Sequence, residues 1–419
     1  MGGLARRVSY EKLFKEKVGG IPALIVDSGN SFTSESNAHG GPRPDVQVKD
    51  DWILKSYDDF KVDVINVAAP DLRYVATLLA KPEYARHAGE RPALKRMVSA
   101  NTAGDAARAV SLPPFVVREV PARAANTKPV RVAFVGLTEA GDSLPHGFQI
   151  NDPVETARRV VPEARKQSDL VIVLGYFKAD TASRLAAQVP GIDAIIASNS
   201  QSEGTFFTPP LTVGPTLILF TSYETRMLGE LRAYREASGK YSLRTRFITL
   251  DETFPDDAAS MKLVNAARDA EEQTRGESKK LLESWLEASR NPTAAGGAGA
   301  AYISSQACAG CHQAQYIQWA NSGHAHATDK LPPRWSEFQA GCLSCHATGQ
   351  RTDATGKLVL ARLQSVQCEQ CHGPGGEHAQ KPAKGYGRVG NVQQMCATCH
   401  TPEMSPKFDF ASAWAKIKH

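Results

Sequence analysis

All eight cysteines of this 419-residue chain lie after residue 300, and they form four pairs of one kind. The pairs are Cys308-Ala309-Gly310-Cys311-His312, Cys342-Leu343-Ser344-Cys345-His346, Cys368-Glu369-Gln370-Cys371-His372 and Cys396-Ala397-Thr398-Cys399-His400. No cysteine is left over, so one motif accounts for the whole inventory. C-x-x-C-H is the attachment signature of c-type haem. Cysteines three apart on a helical turn point to one side, where their sulfurs can bond the two vinyl groups of a haem. The histidine after the second cysteine then lies under the iron as proximal ligand. Zinc can also be held by paired C-x-x-C units, but it needs no histidine after every second cysteine. A disulfide framework does not require the fixed spacing.

The 118 residues from 302 to 419 are poor in strand signals and rich in Gly, Pro, Cys and His, and could hardly build an ordinary aliphatic core. Four haems there would supply most of the apolar interior and lie close together. That favours an electron relay over an oxygen store or a single catalytic haem.

The preceding chain has a different character. Short apolar runs at 21–28 (IPALIVDS), 62–67 (VDVINV), 130–137 (VRVAFVGL), 170–176 (LVIVLGY) and 193–197 (DAIIA) predict buried strands. Residues 153–168 and 180–188 carry helical patterns, and 211–222 and 241–250 predict further strands. Residues 257–290 predict one long charged helix, with Leu281, Leu282, Trp285 and Leu286 on a buried stripe. The division read from sequence is therefore an α/β domain over 1–290, a small-residue linker over 291–301, and a haem domain over 302–419. With 42% hydrophobic residues, this chain has enough apolar content for a packed core. A net charge of +5 without a dense Lys/Arg cluster excludes nucleic acid as the expected partner. No apolar run reaches the roughly 20 residues that span a bilayer.

The second axial position decides what each iron does, because two histidines make an electron-transfer haem and an open position admits ligands. Eight of the eleven histidines lie in the haem region, four of them beyond the motifs: His324, His326, His378 and His419. The segments 319–327 (WANSGHAHA), 366–378 (VQCEQCHGPGGEH) and 396–419 resemble the tetrahaem c-type cytochromes that accept electrons from hydroxylamine oxidoreductase, and the wider multihaem cytochromes carrying that domain. The resemblance implies His324, His378 and His419 as distal ligands. It leaves one haem without a protein ligand on that side, unless His326 fills the position. Met404 is a rival ligand for the fourth haem, but it follows its own proximal His400 too closely to reach the opposite face. His39, His87 and His146 occur singly and read as structural.

The first domain is similar, in the order of its segments, to the metallophosphoesterase domain of bacterial 5'-nucleotidases. The segments are 2–7 (GGLARR), 23–30 (ALIVDSGN), 63–72 (DVINVAAPDL), 132–137 and 169–201. That likeness implies a four-layer α/β/β/α sandwich, but the metal ligands are replaced. D-x-G-D appears as Asp27-Ser28-Gly29-Asn30, and G-N-H-D/E as Ala68-Ala69-Pro70-Asp71. Tyr176 stands where a histidine is expected, and Ser198-Asn199-Ser200-Gln201 replaces G-H-x-H. Two-metal hydrolysis needs carboxylates and imidazoles that hold both cations. No metal is therefore expected in this domain, and phosphoesterase activity is expected to be lost. The residual polar set Asp27, Asn30, Asp71, Asn199 and Gln201 is a candidate for a small polar ligand.

The expected fold is thus an α/β four-layer metallophosphoesterase-like sandwich followed by a mainly helical and loop multihaem cytochrome c domain. The expected function is electron transfer between a redox donor and acceptor, in the periplasm or at the cell surface, with a membrane-associated redox complex as a partner. The rival readings are a haem-based oxidoreductase at a five-coordinate iron and a metal-dependent phosphoester hydrolase. Residues 1–18 hold no apolar signal-peptide core, so an export signal and the first strand are expected upstream of Met1.

Overall fold

A computed structural model describes residues 3–19, 21–32, 44–80, 92–121, 128–141, 144–199, 207–221, 226–290, 302–331, 342–349, 351–352, 358–359, 363–402 and 404–419. The chain forms two compact units, Met1–Ser34 with Val46–Ala270, and Glu35–Asp45 with Glu271–His419. The division falls inside the helix Ala258–Arg290. The expected linker lies outside the described residues, as do the side chains of Leu281, Leu282, Trp285 and Leu286.

In the first unit, β1 (Val26–Asp27), β2 (Val64–Asn66) and β3 (Met97–Val98) form a small parallel sheet in that order. β4 (Thr102–Ala103) follows, then β5 (Phe115–Val120) and β6 (Val130–Thr138) begin a larger sheet, and β7 (Gln149–Ile150) pairs with β4. β8 (Leu170–Phe177), β9 (Ala194–Asn199), β10 (Leu211–Val213) and β11 (Thr216–Thr221) complete the larger sheet in the order β10-β11-β9-β8-β6-β5. β12 (Met227–Arg235) and β13 (Tyr241–Thr249) make an antiparallel ribbon.

The period-2 alternation of the central strands assigns each side chain to one of two cores. Ala133, Val135, Leu137, Val171 and Val173 face the helices Pro153–Gln167 and Ala179–Gln188. Val132, Phe134, Leu170, Ile172 and Leu174 point the other way and meet Val64 of β2 and Val98 of β3. Behind β2, Ile65 and Val67 join Leu54 and Tyr57 of the helix Pro44–Asp59, and Leu72, Val75 and Leu78 of the helix Leu72–Ala80. The layers are therefore helix, sheet, sheet, helix. Each fully buried aliphatic side chain in these cores contributes about 1.5–3 kcal/mol.

Gly136 of β6 shows how close the two sheets come. A Cβ placed there would lie 2.6 Å from the Asn66 Oδ1 and 2.8 Å from the Val98 carbonyl oxygen. The helix Pro153–Gln167 starts where the sequence places it, because Asp152 accepts a hydrogen bond from the Glu155 N–H at 2.9 Å and Pro153 opens the first turn.

Two expected strands differ in detail. The run 21–28 joins the ladder only at Val26, since Pro22 has no N–H to donate and the Ile25 N–H is taken by the Asp63 carboxylate at 2.7 Å. The run 211–222 is a hairpin rather than one strand. Gly214, at φ +58°, turns the chain before Pro215, and Val213 pairs with Thr216. The sequence reading also passed over the strands β5 and β12 and the helices Leu4–Val18 and Pro44–Asp59.

The second unit is built differently. From residue 302 onward its described elements are short helices and two-residue strands, and only Ala327, Leu343, Ala347 and Leu363 are buried apolar residues among those described. No described helix of the chain is long and apolar enough to cross a membrane.

Candidate functional site

Each C-x-x-C-H segment of the second unit lies on a helical turn. The helices Ser305–Cys308, Leu343–His346, Cys368–His372 and Val392–Ala397 carry or open the four motifs. In the first and last, the His312 and His400 N–H groups donate to the Cys308 and Cys396 carbonyls at 2.9 Å, so the turn continues through the histidine. Asn391 caps the last helix by accepting from the Gln394 N–H at 3.0 Å.

Long-range folding pairs the histidines. The rings of His312 and His378 have centroids 6.2 Å apart with 28° between their planes. His324 and His400 are 6.2 Å apart at 41°, and His372 and His419 are 5.6 Å apart at 49°. A metal–imidazole bond of about 2 Å on each side, plus about 1 Å from each nitrogen to its ring centre, gives about 6 Å between rings that share one metal ion. His346 is paired with no second imidazole among the described residues. His326 is exposed, and its Nδ1 lies 3.3 Å from the Asp329 Oδ2. Met404 is half-exposed on the cavity wall.

Hydrogen bonds at Nδ1 orient several of these rings. His346 Nδ1 lies 2.5 Å from the Ala327 carbonyl, His372 Nδ1 2.8 Å from the Gly387 carbonyl, and His419 Nδ1 3.0 Å from the Ile417 carbonyl. A carbonyl can only accept, so Nδ1 carries the proton and Nε2 keeps a free lone pair for a metal. Burial, and then the neighbouring His400, push the His324 pKa down, and burial lowers that of His400. Both shifts favour the neutral ring that coordination requires.

The thiols converge as well. Thiols of different motifs come near enough to act on one another, Cys308 with Cys368 and Cys399 with Cys345, and Cys371 lies within electrostatic reach of Cys396. A cavity of about 1400 Å³ is lined by the histidines of the last three motifs and their cysteines other than Cys368, by His324 and His419, and by Leu331, Val366, Phe408 and Trp414. Small-ligand sites run to about 300–1,000 Å³. Paired imidazoles, adjacent thiols and an apolar cavity larger than one ligand needs fit haem groups bonded through their edges. Glu369, buried inside the third motif, fastens the region. Its carboxylate accepts from the N–H groups of Ile303 at 2.9 Å, Ser304 at 2.8 Å and Gly375 at 2.8 Å.

In the first unit, Asp27 and Asp71 of the residual polar set lie at strand ends, and their oxygens are committed to the chain itself. Asp71 accepts from the N–H groups of Asn30 and Ala68 at 2.9 Å and of Phe32 at 2.8 Å. Burial pushes its pKa up to about 7 against the pull of those three donors. Asp27 accepts from the Gly29 N–H at 2.8 Å, the Ser31 hydroxyl at 2.8 Å and the Tyr57 hydroxyl at 2.6 Å. Ser198 donates to the Gly29 carbonyl at 2.9 Å and lies 2.8 Å from the Ser28 hydroxyl. Burial raises the Tyr176 pKa, and the charges of Asp71 and Glu139 raise it further. The side chain of Asn199, and Gln201 as a whole, lie outside the described residues, as do His39 and His87.

Residues 307–373 match the family described as cytochrome c554 and c-prime. The cytochrome c-554 of Nitrosomonas europaea is 25% identical over 156 aligned positions, which cover 25% of this chain and 66% of that protein. The match marks a cytochrome c domain within the second unit, and that family carries haem c with its iron. The first unit is similar to several solved structures, a 5'-nucleotidase and a calcineurin-like phosphoesterase among them. The sulfate thiohydrolase SoxB of Thermus thermophilus is 19% identical at a TM-score of 0.47, covering 64% of this chain and 46% of its own. A 5'-nucleotidase precursor, also from Thermus thermophilus, is 17% identical at 0.48, covering 64% and 53%. The calcineurin-like phosphoesterase YfkN of Bacillus subtilis is 18% identical at 0.47, covering 65% and 91%. The chain thus spans just under two thirds of the cytochrome it matches and about half of the sulfate thiohydrolase and the 5'-nucleotidase precursor.

Sequence reasoning missed Tyr57, Ser31, Glu369, Tyr386 and Phe408. Glu369 occupies a free x of C-x-x-C, where spacing carries no signal, and Tyr57 reaches Asp27 from a distant helix. Tyr386 and Phe408 each stack on a histidine, at 4.4 and 4.3 Å with 9° between planes, and nothing local marks them.

Proposed function

We propose that this chain is an exported multihaem cytochrome c that carries electrons through four haem c groups between redox partner proteins, with the first unit serving docking or assembly. Covalently bound haem supplies a reversible one-electron iron couple. Cys308 and Cys311, Cys342 and Cys345, Cys368 and Cys371, and Cys396 and Cys399 hold the groups, with His312, His346, His372 and His400 as proximal ligands. The observation that carries the reading is the spacing of 5.6–6.2 Å in three imidazole pairs, which supports His378 as the ligand opposite His312, His324 opposite His400, and His419 opposite His372.

A pyridine haemochrome assay on the exported protein tests the count, and the expected result is four haems per chain. A colourless, folded protein containing zinc would refute the reading.

A second reading, a small-molecule oxidoreductase at one five-coordinate haem, is favoured by one observation. His346 has no imidazole partner among the described residues, and His326 is exposed beside Asp329. Carbon monoxide or nitric oxide added to the reduced protein should then perturb one haem in four. A spectrum that responds to neither gas would discard that reading. Phosphoester hydrolysis is disfavoured because Asp27 and Asp71 hold their own loops. Nucleotide turnover with added Mn²⁺ or Zn²⁺ above a metal-free control would overturn this.

A further inference from the structure

Of the three imidazole pairs, His312 with His378 is the most nearly parallel, at 28°. His378 stands on the short helix Gly376–Gln380, with the Ala383 N–H 3.4 Å from its Nδ1. The ring that fixes it comes from the loop after that helix. Tyr386 lies face to face on His378, with centroids 4.4 Å apart and 9° between planes. The Tyr386 hydroxyl is anchored in turn, donating toward the carbonyls of Gly373, at 2.8 Å, and Pro374. Those carbonyls directly follow His372, the proximal histidine of the third motif. Gly387 comes next after Tyr386 and accepts from the His372 Nδ1, so one two-residue stretch contacts ligands of two different attachment sites.

We propose that Tyr386 is a positioning residue that sets the ring plane of His378 and thereby the electronic state of the iron bound at Cys308 and Cys311. The inference rests on His378 being an axial ligand. Two imidazole planes on one low-spin ferric ion split its half-filled orbitals according to the angle between them. Near-parallel rings give a large splitting, and a twist toward perpendicular reduces it and raises the largest g value. A tyrosine stacked at 9° prevents that twist, because rotating His378 about its own axis would drive its edge into the Tyr386 face. Phe408 stacks on His400 in the same way, at 4.3 Å, but it has no hydroxyl with which to anchor itself.

The test is electron paramagnetic resonance of the oxidised, fully haem-loaded protein, with His378→Ala as the control for the ligand assignment. His378→Ala is expected to turn one low-spin signal high-spin. If it does not, the assignment fails and the failure is recognisable as such. Tyr386→Leu is expected to keep every haem low-spin while one signal broadens and its largest g value rises. Tyr386→Phe keeps the ring but loses its anchor, and is expected to give a line shape between those of the Tyr386→Leu and wild-type proteins. A Tyr386→Leu protein whose signals all match the wild type, with His378→Ala behaving as expected, would overturn the proposal.

Discussion

Replacing Asp71 with asparagine isolates one buried carboxyl group and gives a pH dependence whose sign can be worked out in advance. Asp71 is 1% exposed and its two oxygens face three backbone N–H groups. Burial raises its pKa from 3.8 to about 7. Between those values the folded protein keeps a proton that the unfolded chain has released, so stability falls as pH rises. The contribution is fully present below pH 3.8 and is lost once pH passes about 7. A shift of about three units corresponds to about 4 kcal/mol. The amide of the Asp71→Asn variant does not titrate. Its oxygen can serve the N–H groups of Asn30 and Ala68, but its NH₂ then faces the Phe32 N–H. That donor clash costs about 1–3 kcal/mol. The wild type should therefore be the more stable protein near pH 4, and the two should become equal or cross near neutrality. Urea unfolding across this range, followed by the fluorescence of Trp52, measures the difference, because Trp52 is the one tryptophan before residue 271. A difference that stays flat or grows with pH would mean that the three N–H bonds outweigh burial, and the reasoning would be wrong.

Three further outcomes follow from the same geometry. Gly136→Ala should destabilise the first unit by about 1–3 kcal/mol in the same urea assay, since the new methyl group meets the Val98 backbone and the Asn66 amide. Glu369→Ala leaves three N–H groups without their acceptor, at a total of at least about 3 kcal/mol. Hydrogen exchange at Ile303, Ser304 and Gly375 should then accelerate roughly 100-fold, and unchanged protection would show that these amides find other acceptors. His419→Ala should convert one low-spin haem to high-spin, whereas His326→Ala should leave the visible spectrum as it was; the reverse pattern would exchange their assignments.

The cytochrome character of the second unit was legible because covalent attachment is local. Two cysteines and a histidine must share one helical turn, and that spacing is written in five consecutive residues. The layers of the first unit were legible for a related reason, since period-2 alternation in 130–137 and 170–176 already sorts side chains to two opposite cores. The split of 211–222 was less legible, because a hairpin of apolar strands differs from a single strand only by the Gly214-Pro215 turn.

Sequence alone, then, determined that iron porphyrin is bonded to the last quarter of the chain and that the metal ligands expected of a phosphoesterase are replaced. Tertiary structure decided which histidine faces which, and that Asp27 and Asp71 spend their oxygens on their own loops. The three imidazole pairs join residues dozens of positions apart, so their geometry depends on how loops such as 381–390 pack rather than on any local spacing. The same holds for Tyr386, whose place on His378 no pattern in the sequence announces, because a stack between side chains exists only once both backbones are fixed.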